Sequence, residues 1–220
     1  MKYPRTYHLP FSPGATKDDK KLQGDWFNNY AGKEIVITEK LDGENIHMSR
    51  TDCYARSDGA PTRSPCSRNI WDTKEGLYWK VRPLIFGSDE TIYGENLYGE
   101  HSIHYDKLTD YFYIFAINNG KEWYSWDDVK LIAKWLEIPT VPELWRGVIN
   151  TEAELKSLVE RFVKEPSLFG PVREGVVVRL AGSFLIDDFK DCVCKWVRPN
   201  HVQTDVHWTK TWKKAELINN

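Results

Sequence analysis

The sequence is poor in the features that mark membrane, secreted and zinc-binding proteins. No apolar run approaches the ~18 residues of a membrane-spanning helix, and the start of the chain, residues 1–5, lacks the apolar stretch of a signal peptide. The four cysteines form no CxxC pair of the kind that binds zinc, and we interpret them as buried free thiols. Neither sign of charge dominates, because 30 basic and 32 acidic residues give a net charge of −2. We therefore expect a cytosolic protein, in which a local basic groove remains compatible with the balanced total.

What the chain does contain is an ordinary globular composition with many aromatic residues. Of its 220 residues, 41% are hydrophobic and 28% are charged, as in a typical folded domain. A chain of this length buries roughly 70% of the surface that its unfolded form exposes, so it needs no disulfides for stability. The 10 Trp, 11 Tyr and 9 Phe indicate an aromatic core and surfaces that stack on bases. We expect one domain over residues 1–220.

Hydrophobic patterning predicts an α+β domain. Apolar residues at helical spacing, with a capping box at Thr151 and Glu154, predict helices over 73–86, 125–137 and 151–164 and a short helix from 205. Runs of β-branched and aromatic residues predict strands over 34–38, 46–50, 53–56, 91–93, 111–117, 175–179 and 192–196. Because the elements do not alternate as βαβ units, the sheets are expected to be mainly antiparallel and flanked by helices. Cys192 and Cys194 are expected on one face of the last strand.

The most specific local feature is the segment 39–45, E-K-L-D-G-E-N. It places Lys40 at the end of a predicted strand, directly before a glycine-containing turn. A lysine at the edge of a pocket becomes a nucleophile if burial or a nearby positive charge, such as a metal, lowers the pKa of its amine. The segment by itself is equally compatible with a surface hairpin turn flanked by charged residues.

Further segments occur in the order found in a known family. K-x-D-G at 40–43 resembles the first motif of the covalent nucleotidyltransferases, the superfamily of polynucleotide ligases and mRNA capping enzymes. Asn45, five positions after the lysine, resembles the residue that ends this motif in the RNA ligases. The other matching segments are A-R-S at 55–57, Y-G-E-N at 93–96, F-Y-I-F-A at 112–116, E-G-V-V-V-R at 174–179 and K-W-V-R-P at 195–199. The chain is thus identified as a member of the ATP-dependent RNA ligases over about residues 34–199. Segments 3–7, 101–105 and 195–201 resemble small phage-type RNA ligase-like proteins.

The resemblance implies a nucleotidyltransferase (ATP-grasp-like ligase) fold and a role for each matching side chain. Lys40 would form lysyl-AMP from ATP, and Lys195 would meet the charge that develops on phosphate. Glu174 would hold Mg²⁺, directly or through water, with Mn²⁺ as an alternative. The implied nucleotide contacts are Glu39, Lys40, Asn45, Glu174 and Lys195, together with Arg56 to phosphate or ribose, Glu95 to a ribose hydroxyl, and Phe115 against the adenine face.

Some of these assignments have competitors. Phe112 and Tyr113 lie in the same predicted strand as Phe115 and compete with it for the stacking role. Glu100 competes with Glu95, which fits the Gly-Glu pattern of the family better.

Two departures from the family pattern bear on function. The fifth motif often carries two lysines two positions apart, and here Val197 stands at the second position, so either one lysine suffices or Lys190 or Arg198 compensates. Only residues 200–220 follow this motif. We therefore expect a tail and no C-terminal OB domain, with nucleic acid held by this domain or with a partner. Candidate nucleic-acid contacts are Arg198, His201, Lys210 and Lys213.

The sequence thus predicts an ATP-dependent RNA ligase that transfers AMP from Lys40 to a 5′-phosphate end and seals that end to a 3′-hydroxyl. Its substrate is expected to be RNA, with DNA as an alternative. Within the enzymes, the alternatives are a DNA ligase and a capping-type guanylyltransferase, both disfavoured by Asn45 and by the expected lack of an OB domain. The alternative of another class is a nucleotide- or RNA-binding module that has lost the sealing chemistry, suggested by the single lysine of the fifth motif.

Overall fold

The computed structural model describes residues 1–56, 59–85, 89–199 and 212–218, whose strands form two β-sheets. The first sheet has, in spatial order, β1 (Tyr7–His8), β11 (Val193–Val197), β9 (Gly175–Leu180), β2 (Lys33–Lys40) and β8 (Glu143–Ile149). The second has β10 (Phe184–Leu185), β7 (Glu122–Trp123), β6 (Phe112–Asn118), β5 (Thr91–Asn96), β3 (Glu44–Ser49) and β4 (Cys53–Ala55). Neighbouring strands pair antiparallel, except β1 with β11. The expectation of an α+β protein with mainly antiparallel sheets is confirmed.

Helices in the described residues are few and mostly short. They are α1 (Arg68–Trp71), α2 (Leu77–Val81), α3 (Trp126–Trp135), α4 (Glu152–Phe162) and α5 (Phe189–Cys192). The Ser125 side chain caps α3 by accepting the N–H of Asp128, and the predicted capping box of Thr151 and Glu154 begins α4. The helices expected over 125–137 and 151–164 are therefore confirmed. None of the helices described is both long and apolar enough to cross a bilayer.

The two faces of β9 show how the first sheet serves both the core and the site. Val176 and Val178 point into a core cluster that contains Leu155, Val159 and other apolar residues of α4. Because successive strand residues point to opposite faces, Val177 and its neighbours in register face the other way, toward a cavity that residues of the second sheet also line. The cavity therefore lies where the two sheets meet.

The first of the predicted helices is wrong in extent. The helix expected over 73–86 is only α2 followed by a 3₁₀ turn at Arg82–Leu84, and residues 86–88 lie outside the described part. Asp72 accepts the N–H groups of Lys74 and Glu75, which holds the preceding residues in a turn, and Pro83 has no N–H to continue an α-helix.

The prediction that Cys192 and Cys194 share one face of a strand is also wrong. Cys192 ends α5, and β11 begins only at Val193. All four cysteines are nevertheless buried free thiols, as expected.

Strand β8 was not predicted, because it lies at the edge of its sheet and its alternation is weak, with Gly147 and several half-exposed side chains. The helix expected from residue 205 begins outside the described residues. Residues 212–218, which are described, are not helical. They instead bridge to the loops before β6, through Gly99 with Lys214 and Leu108 with Leu217.

Candidate active site

A cavity of about 280 Å³ lies between the two sheets. Its first-sheet wall comes from β2, β9 and β11, and its second-sheet wall comes from β3, β5, β6, β7 and β10. Of the sequence-predicted site residues, the structure brings Glu39, Lys40, Asn45, Arg56, Glu95, Phe115 and Lys195 to its lining. Residues far apart in the chain therefore converge on one space.

Lys40, which lines this cavity, forms an ion pair with Glu174, a predicted site residue that is not among the lining residues. Lys40 ends β2 opposite Gly175, the first residue of β9, and its Nζ lies 2.6 Å from Oε2 of Glu174. Gly175 permits this arrangement, because a Cβ at that position would lie 2.0 Å from the carbonyl oxygen of Trp196 on β11. The amine and the carboxylate are thus brought together by the register of adjacent strands.

The protonation of this pair is set by burial and by the neighbouring charges. Burial by itself favours a neutral amine, but the carboxylates of Glu174 and Glu95 outweigh it and raise the pKa of Lys40 above its usual range. Burial raises the pKa of Glu174 to about 7, although Lys40 opposes the shift. The neighbouring carboxylates therefore favour the ammonium form of Lys40, whereas burial favours the protonated form of Glu174.

Glu95 is the second buried carboxyl group of the site. It lies on β5, and its Oε1 accepts the N–H of Gly43 at 3.2 Å. Burial raises its pKa to about 7, again against the influence of Lys40. Its sequence competitor Glu100 does not line the cavity and instead contacts His104 at 2.7 Å.

The turn after Lys40 is held by hydrogen bonds from a distant loop. Asp42 accepts the N–H groups of Ser102 and Ile103 on one carboxylate oxygen, and its own N–H donates to the Tyr105 hydroxyl. These hydrogen bonds hold the turn directly after Lys40 in place, so the role of Asp42 in this structure is to position that turn.

Lys195 adds positive charge to the same cavity from β11. Its register partner is Val177 on β9, and burial followed by the repulsion of Lys40 lowers the pKa of its amine. Val197, where the family pattern often has a second lysine, is 1% exposed and does not line the cavity. Its backbone N–H donates to the Ser12 hydroxyl and its carbonyl accepts the N–H of Gly14, so the N-terminal segment covers this position.

Glu39, predicted as a nucleotide contact, has a buried side chain with partners in the protein. Its Oε2 accepts the N–H of Leu168 at 3.2 Å and lies 3.5 Å from Nε of Arg173. The two side chains of this ion pair are 0% and 3% exposed. The pair joins the residues immediately before Lys40 and Glu174, a connection that the sequence did not reveal.

Three further predicted contacts line the cavity with different chemistry. Asn45 has a buried Oδ1 without a hydrogen-bond partner in the described residues. Arg56 follows β4 and is exposed at the rim. Phe115 lines the cavity, whereas its competitors Phe112 and Tyr113 are 1% exposed and belong to the apolar core.

The predicted nucleic-acid contacts are only partly described. Arg198 is half-buried, and its backbone N–H donates to the carbonyl of Glu174 at 3.0 Å. Lys213 is exposed and lies 3.5 Å from Glu100. His201 and Lys210 lie outside the described residues.

Sequence reasoning missed part of the lining. Val177 and Arg179 on β9, together with Tyr3 and Trp123, also border the cavity. The period-2 alternation of the predicted strand 175–179 was a usable signal, because it puts residues 177 and 179 on one face. Tyr3 begins the segment 3–7 that resembles other RNA ligase-like proteins, but no pattern assigned it a place in the site, and none pointed to Trp123.

Comparisons with known proteins show a family match and similar folds. A family model described as RNA ligase matches residues 33–197. A solved structure of a Naegleria gruberi RNA ligase variant with ATP and Mn is 19% identical, with 88% of this chain and 60% of that chain covered and a TM-score of 0.54. An archaeal ATP-dependent RNA ligase is 16% identical, with 90% of this chain and 48% of that chain covered and a TM-score of 0.55. A putative ATP-dependent DNA ligase from Aquifex aeolicus is 19% identical, with 90% of this chain and 50% of that chain covered and a TM-score of 0.56.

At these identities, the likeness to the solved structures shows the fold alone. The chain spans between about half and three fifths of the length of these proteins. Among curated proteins, no relative matches the sequence.

Proposed function

The chain belongs to the RNA ligase family, and from this premise we propose that it is an ATP-dependent RNA ligase that works through a covalent lysyl-AMP at Lys40. The nucleotidyltransferase unit would be the motif core over residues 34–199, within a single domain. The observation that carries the proposal is the ion pair of Lys40 with Glu174, with Nζ 2.6 Å from Oε2. Lys40 lines the cavity together with Glu95, Lys195 and Arg56.

In the proposed first step, Lys40 loses a proton and attacks ATP. Glu174 is the nearest acceptor for this proton. The transfer is uphill in the free protein, because the carboxylates of Glu174 and Glu95 raise the pKa of Lys40, and the positive charge of Lys195 on the same cavity acts in the opposite direction. The lone pair of Nζ then forms a bond with the α-phosphorus, and the bond to the bridging oxygen breaks, so that pyrophosphate leaves with the electron pair. Lys195 meets the charge that develops on the phosphate oxygens, and Arg56 binds phosphate or ribose oxygens at the rim.

A divalent cation fits this site as a partner of the nucleotide. Among the described residues, no group of three His, Cys, Asp or Glu side chains is arranged to hold a metal ion. One carboxylate, that of Glu174, together with phosphate oxygens and water matches the way Mg²⁺ or Mn²⁺ is usually held beside nucleotides. Such an ion, held by Glu174, would neutralise charge on the leaving pyrophosphate.

In the later steps AMP would pass to a 5′-phosphate on RNA, and a 3′-hydroxyl would then displace it and seal the strand. We propose that two described cations contact RNA. They are Arg198, whose backbone N–H donates to the carbonyl of Glu174, and the exposed Lys213.

The first test is the mass of the intact protein after incubation with ATP and Mg²⁺, followed by peptide mapping. We expect one added AMP on the peptide that carries Lys40, and none in Lys40→Ala. Lys156→Ala, which removes an exposed lysine of α4, is the matched control and should keep the label. Label in Lys40→Ala, or label from GTP or NAD but not ATP, would overturn the proposal.

A second test separates RNA from DNA as substrate. Nicked duplexes that differ only in the sugar of the sealed strand are offered to the adenylylated protein, and sealing of RNA should exceed sealing of DNA. The reverse preference would favour the DNA ligase alternative.

The binding-module alternative is motivated by the buried Val197 at the position of the second lysine. It predicts ATP or RNA binding without AMP transfer. Release of AMP from the labelled protein by a 5′-phosphorylated nick excludes it.

A further inference from the structure

The end of the cavity remote from Lys40 is an aromatic pocket that contains one buried cation. The rings of Tyr3, Trp123, Phe184 and Phe189 contact one another there, with Tyr3 and Trp123 centroids 5.4 Å apart. Arg179 on β9 borders the same space and is 5% exposed. We refer to this part of the cavity, formed by these five residues, as the aromatic end.

Arg179 has no carboxylate partner in the described residues. Its Nε donates to the carbonyl of Leu180 at 3.2 Å, and its Nη2 donates to the carbonyl of Tyr124 at 2.7 Å. The guanidinium also lies over the rings of Trp126 and Phe184, at 5.6 and 5.7 Å. These contacts leave Nη1 without a protein acceptor in the described part of the chain, on a side chain that borders the cavity.

Trp123 supplies a second N–H group at the same place. It is 1% exposed, and its Nε1 is buried without a hydrogen-bond partner in the described residues. Its register partner is Phe184, whose ring lies against the Arg179 guanidinium. An unsatisfied buried donor such as the Trp123 Nε1 costs about 1–3 kcal/mol. Together with the Arg179 side chain, whose Nη1 has no acceptor in the described residues and which lines the same cavity, it indicates a ligand that brings acceptors.

The distance from Lys40 suits a nucleobase. Along β9, Arg179 lies four residues beyond Gly175, the register partner of Lys40, which is about 13 Å at 3.3 Å per residue. Val177 lies between them on the same face. A nucleotide attached through its α-phosphorus to Lys40 would extend its ribose past Val177 and its base toward the aromatic end.

We propose that Arg179 and Trp123 recognise the nucleobase by donating hydrogen bonds to ring nitrogens of adenine. This inference rests on the proposed function and adds a specificity-determining pair to it. Burial lowers the pKa of Arg179 to about 10, so the guanidinium keeps its charge and its donors at neutral pH. Ring nitrogens are the acceptors that adenine offers, whereas its exocyclic amino group is a donor and would be repelled by both side chains.

The test deletes the acceptor on the nucleotide and the donor on the protein. The rate of Lys40 adenylylation is measured with ATP and with 1-deaza-, 3-deaza- and 7-deaza-ATP, each of which lacks one ring nitrogen. In the wild type we expect at least one analogue to lower kcat/KM about 10- to 100-fold, the value of a hydrogen bond to a charged donor. In Arg179→Met that loss should shrink to less than about 3-fold, because the donor is already absent.

Two further variants keep the test valid if Arg179→Met folds poorly. Arg179→Lys keeps a donor and should keep part of the discrimination. Trp123→Phe keeps an aromatic ring but removes the indole N–H, and should weaken the discrimination against one analogue. Arg161→Met, at an exposed position of α4, is the matched control and should behave as the wild type.

The outcomes separate this inference from the proposed function. Equal use of ATP and all three analogues by the wild type, or unchanged discrimination in both Arg179→Met and Trp123→Phe, overturns the inference while adenylylation itself stands. Failure of the wild type to form any adduct with ATP overturns the proposed function.

Discussion

Removal of the Glu39 carboxylate is expected to destabilise the protein strongly, because it leaves a buried guanidinium without its counter-ion. The Arg173 Nε and the Glu39 Oε2 lie 3.5 Å apart, and the side chains are 3% and 0% exposed. With an effective dielectric constant of ~20, their attraction is about 5 kcal/mol. This agrees with the ~3–5 kcal/mol that is lost when one partner of a buried ion pair is removed.

The variant of choice is Glu39→Gln, which keeps the size of the side chain and an oxygen to accept the N–H of Leu168. For a chain of this length each kcal/mol corresponds to roughly 2–4 °C in Tm, so the Tm should fall by about 6–20 °C. Thermal and urea denaturation measure the change. Arg173→Met should have a similar effect, and the double variant should cost less than the two single losses together, because no unpaired charge remains.

The matched control is Glu160→Gln in α4. Its pair with Lys156 is 3.9 Å long and about half exposed at both side chains, so the change should cost less than about 0.5 kcal/mol. The reasoning is refuted if Glu39→Gln keeps wild-type stability and only raises the KM for ATP. That result would instead support the sequence-based prediction that Glu39 contacts the nucleotide.

Three further predictions concern the same site. Val197→Lys should destabilise the protein and not accelerate adenylylation, since Val197 is 1% exposed and a lysine there would be buried without a partner; a stable and faster variant would contradict this. Burial raises the pKa of Glu95 from 4.5 to about 7, so the folded state binds this proton more tightly than the unfolded state. The stability it contributes is present below pH 4.5 and is lost as the pH rises through about 7. Glu95→Gln should therefore flatten the fall in Tm over that range, and an unchanged pH profile would exclude this role. Gly175→Ala should cost about 1–3 kcal/mol and lower adenylylation, because the new Cβ would lie 2.0 Å from the Trp196 carbonyl oxygen. Gly182→Ala, with nothing within 4 Å of its Cβ, is the control, and equal effects of the two changes would refute the steric argument.

The sequence by itself determined the elements whose information is local. The capping box before α4 and the β-branched run of β9 are signals carried by consecutive residues, and both elements appear where they were predicted. The motif order likewise indicated the family, because each motif keeps its residues within a few positions of one another. The edge strand β8 and the broken helix after residue 72 escaped prediction because tertiary contacts and turn hydrogen bonds outweighed their weak local preferences.

Only the tertiary structure decided which side chains meet. Lys40 and Glu174 are 134 positions apart in the sequence, and so are Glu39 and Arg173, which directly precede them. Antiparallel pairing of β2 with β9 brings both pairs together. Phe115, and not Phe112 or Tyr113, lines the cavity, and it lies where the pairing of β5 with β6 is irregular, between Tyr93 and Gly94. Strand register and sheet packing are set by many weak contacts distributed over the whole chain, so no local segment could specify the unpaired donors of the aromatic end or the burial of Val197.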